Sequence, residues 1–317
     1  MAVYTKVSCD QMKILLNKYE VGNFLSMSEI QEGVENSNFK IITDKDNYIL
    51  TIYEKRVNEK DLPYFINLME HLNNNGVNCP KPLNDKSGIK FQEIKNKKSL
   101  LTTFLSGSSL KDINKDHCYE LGKSLANFHL KGKNFIQKRY NDLGYKSWLN
   151  LFKQGIKSVN LDNKRDLKKF ENIIINTVND WPEHLPKGNI HADLFPNNVF
   201  FTNEKISGII DFYFACYDIL AYDIAICINS WCFNEKNVFI LDRAHSMISG
   251  YSSVKTLSNE ETDNLILLSK GAAIRFYLTR LFDWYNTPSN SNVSKLNPQE
   301  FYNKVLFFNN LKTLGLN

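Results

Sequence analysis

The sequence predicts an α+β fold, with a β-rich first third joined to a larger, mostly helical remainder. Three observations predict it. The first hundred or so residues hold several short runs of β-formers separated by turn residues. After "SGSS" (106–109) the apolar residues recur at helical spacing instead. Strand-like runs return only around one polar segment, "GNIHADLFPNNVFF" (188–201). A chain of 317 residues is long enough for two lobes with a sizeable core. The expected division is 1–105 and 106–317, with 106–109 as the connector.

Taken in order, "CDQMKILLNKY" (9–19) has helical periodicity, with Asp10 as a possible N-cap. "NFKIIT" and "YILTIYE" are strands, and "DKDN" between them is a hairpin turn. "LPYFINLMEHLNNNG" is a helix with Pro63 in its first turn and Gly76 past its end. "IKFQEI" and "SLLTTFL" are two more strands with "KNKK" between them, which makes a mostly antiparallel sheet with one prominent helix. "HCYELGKSLANFHLKG" places Leu121, Leu125 and Phe128 on one helical face. The stretch 149–180 is helical, "NNVFF" (197–201) and "ISGIIDF" (206–212) are strands, and "LAYDIAICINSWCF" and "KGAAIRFYLTRLFDWY" are helices.

Apolar residues make up 43% and charged residues 23%, as in an ordinary globular protein. The net charge of +5 is mild and its lysines are scattered, so no nucleic-acid partner is expected, whereas a phosphate-rich small ligand suits the sign. The cysteines Cys9, Cys79, Cys118, Cys216, Cys227 and Cys232 form no CxxC pair and no zinc spacing, and read as free thiols in a reducing compartment. The chain shows no secretory signal pattern and no apolar run long enough to span a membrane, so a cytoplasmic protein with no membrane partner is expected.

The chemistry concentrates in "HADLFPNN" (191–198) and "IIDF" (209–212). Asp193 and Asn198 stand five apart on a loop made irregular by Pro196, and Asp211 ends an apolar strand. A hairpin from 199 to 210 would bring Asn198 and Asp211 to one edge. An amide and carboxylates are hard oxygen ligands, and magnesium takes few of these from a protein, completing its shell with water and phosphates. Asp193 is then free to take or orient the proton of a hydroxyl nucleophile. Phosphoryl transfer asks little more of a protein than positioning and charge stabilisation. Any one of these residues alone would read as a polar turn; the set at this spacing favours chemistry.

"HADLFPNN" fits H-x-D-x-x-x-x-N, and the chain resembles the aminoglycoside phosphotransferase and choline kinase superfamily, relatives of the protein kinases. Within it the chain is most similar to the homoserine kinases, on "EGVENSNF" (32–39), "LTIYEKR" (50–56), "NGVNCPKPL" (75–83), "IIDFYFACYDILAYDIAICINSWCF" (209–233) and "RFYLTRLFDW" (275–284). The resemblance implies a bilobal protein-kinase-like fold, ATP and Mg2+ as cofactors, and L-homoserine as the acceptor. It implies Asp193 as base, His191 as a brace of the loop, Asn198 and Asp211 as metal ligands, and Asp223 as a buried carboxylate holding the loop. It makes "EGVENSNF" the flap over the phosphates, where Gly33 permits close approach and Asn36, Ser37 and Asn38 offer short polar groups. It makes Thr103 to Leu105 the segment whose backbone meets adenine.

The third strand departs from the wider pattern. Thr51 stands where relatives carry Lys, so Lys55 or Arg56 would supply the cation, and Glu70 is the acid offered by the following helix. For the acceptor, Arg275 has no acid three or four residues away. It would grip a substrate carboxylate or pair with Asp218 or Asp223. Tyr213, Asp218 and Trp231 are further pocket candidates. Two other readings stay open: a kinase for choline, an aminoglycoside or another small alcohol, and a non-catalytic nucleotide-binding protein.

Overall fold

The computed structural model describes residues 4–30, 36–54, 58–156, 164–286 and 295–315. The chain divides into two compact units: Met1–Gly107 together with Ser207–Tyr213, and Ser108–Ile206 together with Phe214–Asn317. The segment 207–213 thus groups with the first unit, although it follows most of a hundred residues of the second.

The first unit opens with α1 (Cys9–Leu16). Its cap is Ser8, not Asp10: Ser8 Oγ accepts the Gln11 N–H at 3.2 Å and the Gln11 side chain accepts the Ser8 N–H at 3.0 Å. This reciprocal box satisfies two amides that would otherwise face no acceptor. Five strands follow, β1 (Phe24–Ile30), β2 (Ser37–Thr43), β3 (Asn47–Ile52), β4 (Phe91–Ile94) and β5 (Lys97–Thr103). They form one antiparallel sheet in the order β1-β2-β3-β5-β4. α2 (Leu62–Asn74) lies between β3 and β4 in the chain and ends at Gly76, whose φ of +86° is the left-handed stop expected of a C-terminal glycine. The β4–β5 turn is tighter than "KNKK" suggests. Only Lys95 and Asn96 form it, with φ of 50° and 59°, so β5 already begins at Lys97. The alternating residues Phe39 and Ile41 of β2, and Leu50 and Ile52 of β3, close over Met12 and Leu16 of α1 as the core.

The second unit holds α3 (Lys115–Gly132), α4 (Trp148–Gly155), α5 (Lys164–Asn179), β6 (Lys187–Ile190) and β7 (Val199–Thr202). β8 (Lys205–Ile209) completes a two-residue hairpin with β7, turning through Asn203 and Glu204 at φ of 47° and 62°. Then come β9 (Cys216–Ile219), α6 (Leu220–Trp231), α7 (Leu241–Ser252), α8 (Asn259–Asp263), α9 (Leu265–Asn286) and α10 (Gln299–Asn310). β6 and β9 pair antiparallel, a ribbon the sequence reading misses because each strand is four residues long and β9 runs straight into a helix. α6 is apolar nearly all round and is buried, as such a helix must be. α3 and α7 cross very closely. A Cβ on Gly122 would lie 1.9 Å from Met247 O, and one on Gly250 would lie 2.0 Å from Tyr119 O. Only glycine fits either place. All six cysteines are free thiols. Among the described residues, no helix is long and apolar enough to cross a membrane.

Candidate active site

The loop 191–198 leaves β6 and enters β7 in the second unit. It turns sharply at Ala192, a non-glycine residue at φ +64°. Such a conformation costs on the order of 1 kcal/mol and persists only where the surroundings enforce it. Here four buried side chains do so. Asp223, in the first turn of α6 and fully buried, accepts the His191 N–H at 2.8 Å and the Ala192 N–H at 2.9 Å. Arg275 of α9, 2% exposed, donates from Nη1 to the Ala192 carbonyl. Trp231 donates from Nε1 to the Leu194 carbonyl at 2.9 Å. His191 Nδ1 accepts the Asp193 N–H at 3.3 Å.

The result is a backbone held from several sides with one carboxylate, that of Asp193, left half-buried. Asn198 completes the arrangement. Its Nδ2 donates to Asp193 O at 2.8 Å and lies 3.4 Å from Asp193 Oδ2. That bond fixes the amide orientation and turns Oδ1 away as an acceptor. Oδ1, which accepts from Asn197 Nδ2 at 3.2 Å, is a hard, neutral oxygen of the kind magnesium takes, so its chemistry fits that ion.

Asp223 has a second partner that sequence reasoning missed. His129, buried at the end of α3, places Nε2 3.1 Å from Asp223 Oδ2 and Nδ1 2.8 Å from Tyr251 Oη. A carboxylate only accepts, so Nε2 donates to it, and Nδ1 shares a hydrogen bond with the Tyr251 hydroxyl. Burial alone would raise the Asp223 carboxyl. The His129 hydrogen bond, the charges of His129 and His191 and the His191 N–H together hold it below the ordinary value, and it is ionised. The available signal for His129 was its place beside Phe128 on an apolar helix face, where an imidazole needs a partner.

The structure thus brings His191, Asp193, Asn198, Asp223, Arg275 and Trp231 together in the second unit. Trp231 is corrected from pocket wall to loop support: it is fully buried and its one polar atom is committed to Leu194 O. Arg275 pairs through Nη1 with a carbonyl rather than with Asp218 or Asp223. Asp218 lies in the same unit, accepting from Asn141 Nδ2 and from its neighbour Ile219 N–H, both at 2.8 Å, and burial pushes its carboxyl up.

Asp211 and Tyr213 belong to the first unit. Asp211 does not end the strand. β8 stops at Ile209, and Asp211 stands beyond it at φ +66°, a left-handed turn that aspartate tolerates better than branched residues do. The Tyr213 hydroxyl lies 3.0 Å from that of Tyr53, and its ring packs edge-on against Tyr53 and Phe65.

In the polar run before β2, Ser37 is also corrected. Ser37 is fully buried, accepts the Tyr4 and Thr5 N–H groups at 2.9 and 3.0 Å, and donates to Glu54 Oε1 at 2.7 Å. Asn36 Oδ1 accepts the Glu54 N–H at 3.3 Å, and Asn38 Oδ1 accepts from Thr51 Oγ1 at 2.8 Å. The Ser37 hydroxyl is thus committed to the fold, and the Asn36 and Asn38 side-chain oxygens accept from it. Thr51 therefore faces Asn38, and Glu70 pairs with Lys90 at 2.6 Å. Gly33, Lys55 and Arg56 lie outside the described residues. The N–H groups of Thr103 and Phe104 are taken by Lys81 O and Asn47 O at 3.1 and 3.3 Å, which leaves Thr103 no amide donor for adenine.

Residues 26–257 match the Phosphotransferase enzyme family. A protein of Bartonella tribocorum named homoserine kinase is 42% identical over 315 residues, spanning 99% of this chain and 99% of its own. A homoserine kinase of Paramagnetospirillum magneticum is 45% identical over 314 residues, with 97% and 96% covered. Among solved structures, an amicoumacin kinase in complex with AMP-PNP and Ca2+ is similar at a TM-score of 0.70 and 16% identity, covering 95% of this chain and 92% of its own. A choline/ethanolamine kinase family protein from Mesorhizobium loti is similar at 0.65 and 14% identity, covering 95% and 93%. The structural likeness is one of fold.

Proposed function

The chain belongs to the Phosphotransferase enzyme family, and from that premise we infer that it is an ATP-dependent homoserine kinase. It transfers the terminal phosphoryl group of ATP to the side-chain hydroxyl of L-homoserine, giving O-phospho-L-homoserine and ADP on the route to threonine. The observation that carries this reading is identity of 42–45% with homoserine kinases over nearly the whole chain.

The loop geometry supports the roles. Asp193 would accept the proton as the homoserine oxygen bonds to phosphorus and the bond to ADP breaks. Its carboxylate is held in place by backbone contacts on both of its neighbours, which is the positioning such a base needs. Asn198 is our proposed Mg2+ ligand in the second unit and Asp211 our proposed ligand in the first, and the ion when bound would neutralise charge on the phosphates. We assign nucleotide binding to the first lobe (1–105), with adenine met beyond Thr103, at Leu105. The chemistry falls to the second lobe (106–317). Arg275 and Asp218 would meet the acceptor's carboxylate and ammonium.

A panel of acceptors tests the reading: L-homoserine, L-serine, choline and an aminoglycoside, scored by Mg2+-dependent ADP release beside Asp193→Ala. Turnover confined to homoserine and lost in the variant is expected. Turnover with another alcohol instead would keep the mechanism and overturn the substrate. ATP binding without turnover on any acceptor would favour the non-catalytic reading.

A further inference from the structure

Among the described residues of the second unit, the buried polar atoms without a hydrogen-bond partner include Tyr145 Oη, Tyr222 Oη and Arg275 Nε. They share one neighbourhood, and Trp181 joins them. The Tyr145 ring stacks on Trp181 with centroids 5.5 Å apart, and the Tyr222 ring meets Trp181 edge-on at 5.4 Å. Trp181 in turn lies over Gly271, where a Cβ would fall 2.3 Å from its Cζ3. Gly271 is one helical turn before Arg275 on α9, so the indole and the guanidinium occupy one face of that helix. Tyr222 sits one residue before Asp223, the carboxylate that holds the catalytic loop, and is itself fully buried.

Orphaned buried polar groups are rare, because each forfeits its hydration without replacement. Three such groups in one neighbourhood describe a place built for something else. The chemistry of that occupant can be read from the donors. The Arg275 Nη1 bond reaches a carbonyl, so its positive charge is not neutralised by that contact, and a buried charge is costly until it is paired. Nε–H and Nη2–H form the side edge of the guanidinium fork, the geometry that takes a carboxylate bidentately. Burial pushes the Tyr222 hydroxyl far above its ordinary value, so it remains a donor. The complementary ligand is an anion with two oxygens, and a small one, because Arg275 holds Ala192, the residue next to Asp193.

Resting on the kinase reading above, we propose that Tyr145 and Tyr222 are specificity-determining residues which, with Arg275, bind the α-carboxylate of the acceptor, while Trp181 fixes both rings. Asp218 is near enough for its charge to bear on Tyr222 and Arg275. Its Oδ2 accepts from Asn141, whose turn leads through Gly144 to Tyr145, and its carboxylate suits the acceptor's ammonium. The enzyme then selects α-amino acids over amino alcohols that lack a carboxylate.

Tyr145→Phe and Tyr222→Phe test this, because each deletes only a hydroxyl. KM for L-homoserine should rise about tenfold or more in each, as expected for losing a hydrogen bond to a charged group. KM for ATP, and KM for 3-aminopropan-1-ol, which is homoserine without its carboxylate, should stay within about twofold. The melting temperature without ligand should hold or rise, since an orphaned hydroxyl is removed, and the rise induced by L-homoserine should shrink. Equal KM changes for both acceptors, no change for either, or a lower melting temperature without ligand would overturn the proposal, the last by making the hydroxyls structural. Wild-type enzyme inactive on homoserine but active on another alcohol would overturn the substrate reading and this proposal together. Homoserine turnover unmoved in both variants would overturn this proposal alone.

Discussion

The catalytic loop (191–198) and the start of β2 (36–38) are both dense in Asn, Asp and Ser-type residues, and each is organised around one carboxylate. Asp223 gathers the backbone of the loop, and Glu54 gathers Ser37, Thr5 and Lys97 at the start of β2. The two differ in who does the holding. At the loop, side chains from α6 and α9 bind backbone N–H and C=O groups, His129 of α3 backs Asp223, and the Asp193 carboxylate is left half-buried. At β2, the polar side chains themselves are engaged, and Ser37 is fully buried by them. A polar cluster becomes a reactive site where distant residues supply the restraint. Where the cluster restrains itself, it is part of the scaffold.

The largest effect expected from this contrast is at Asp193. Asp193→Ala should lower kcat with homoserine by about 10²–10⁴-fold, the range for losing a positioned acid or base. Its unfolding midpoint in urea should stay near wild type, because the surrounding backbone is held by other residues. A steep loss of stability alongside the loss of turnover would break the contrast and make Asp193 a scaffold residue.

Asp223→Asn comes next, and should harm both properties. It replaces a buried acceptor of two N–H groups and His129 by a group that also carries donors. Removing one member of such a buried set costs about 3 kcal/mol or more. The pH dependence sharpens the test. Asp223 titrates lower in the folded chain than when unfolded, where an Asp carboxyl has a pKa of about 3.9. Its contribution is therefore fully present above that value and is lost as pH falls through the lower folded value. The stability gap between wild type and Asp223→Asn, measured by urea unfolding, should be constant from about pH 7 to 5 and narrow only below about 4. A gap that narrows between pH 7 and 5 would mean that the carboxylate is not what holds the loop.

Trp231→Phe should act more mildly. It removes the donor to Leu194 O while keeping most of the apolar volume, and Ser230 Oγ also approaches that carbonyl at 3.4 Å. A loss of about 1 kcal/mol and a few-fold lower kcat are expected, with KM for ATP unchanged. Unchanged kcat would show that the loop needs no tether on that side.

What could be read from the sequence follows the same division. H-x-D-x-x-x-x-N is legible because its members lie within eight residues, and the long helices are legible because their periodicity is local. The residues that hold the loop come from 31 to 83 positions further along the chain, and no local pattern announces that Trp231 or Arg275 will point at a carbonyl. The same holds for Tyr145 and Tyr222, whose meeting on Trp181 joins three separated segments. β6 and β9 escaped because four residues are too few for alternation to show. The polar run at 36–38 misled for a physical reason. Asn and Ser have the same donors and acceptors whether they face a ligand or the chain's own amides, and only burial separates the two.

Ser37→Ala, finally, tests the scaffold side of the comparison with the smallest effect on turnover. Ser37 Oγ accepts two N–H groups near the chain's start, and in the variant the buried Thr5 N–H and the part-buried Tyr4 N–H lose their acceptor. That costs about 1–3 kcal/mol, so the urea midpoint should fall clearly. Glu54 loses one of its hydrogen bonds but keeps Thr5 and Lys97, so the local arrangement persists. KM for ATP should then stay within about twofold of wild type, because a hydroxyl committed to Tyr4, Thr5 and Glu54 has no share in binding phosphate. A tenfold rise in that KM at unchanged stability would return Ser37 to the nucleotide site. It would also mean that a cluster can restrain itself and bind at once, which the geometry of three engaged contacts around a fully buried hydroxyl argues against.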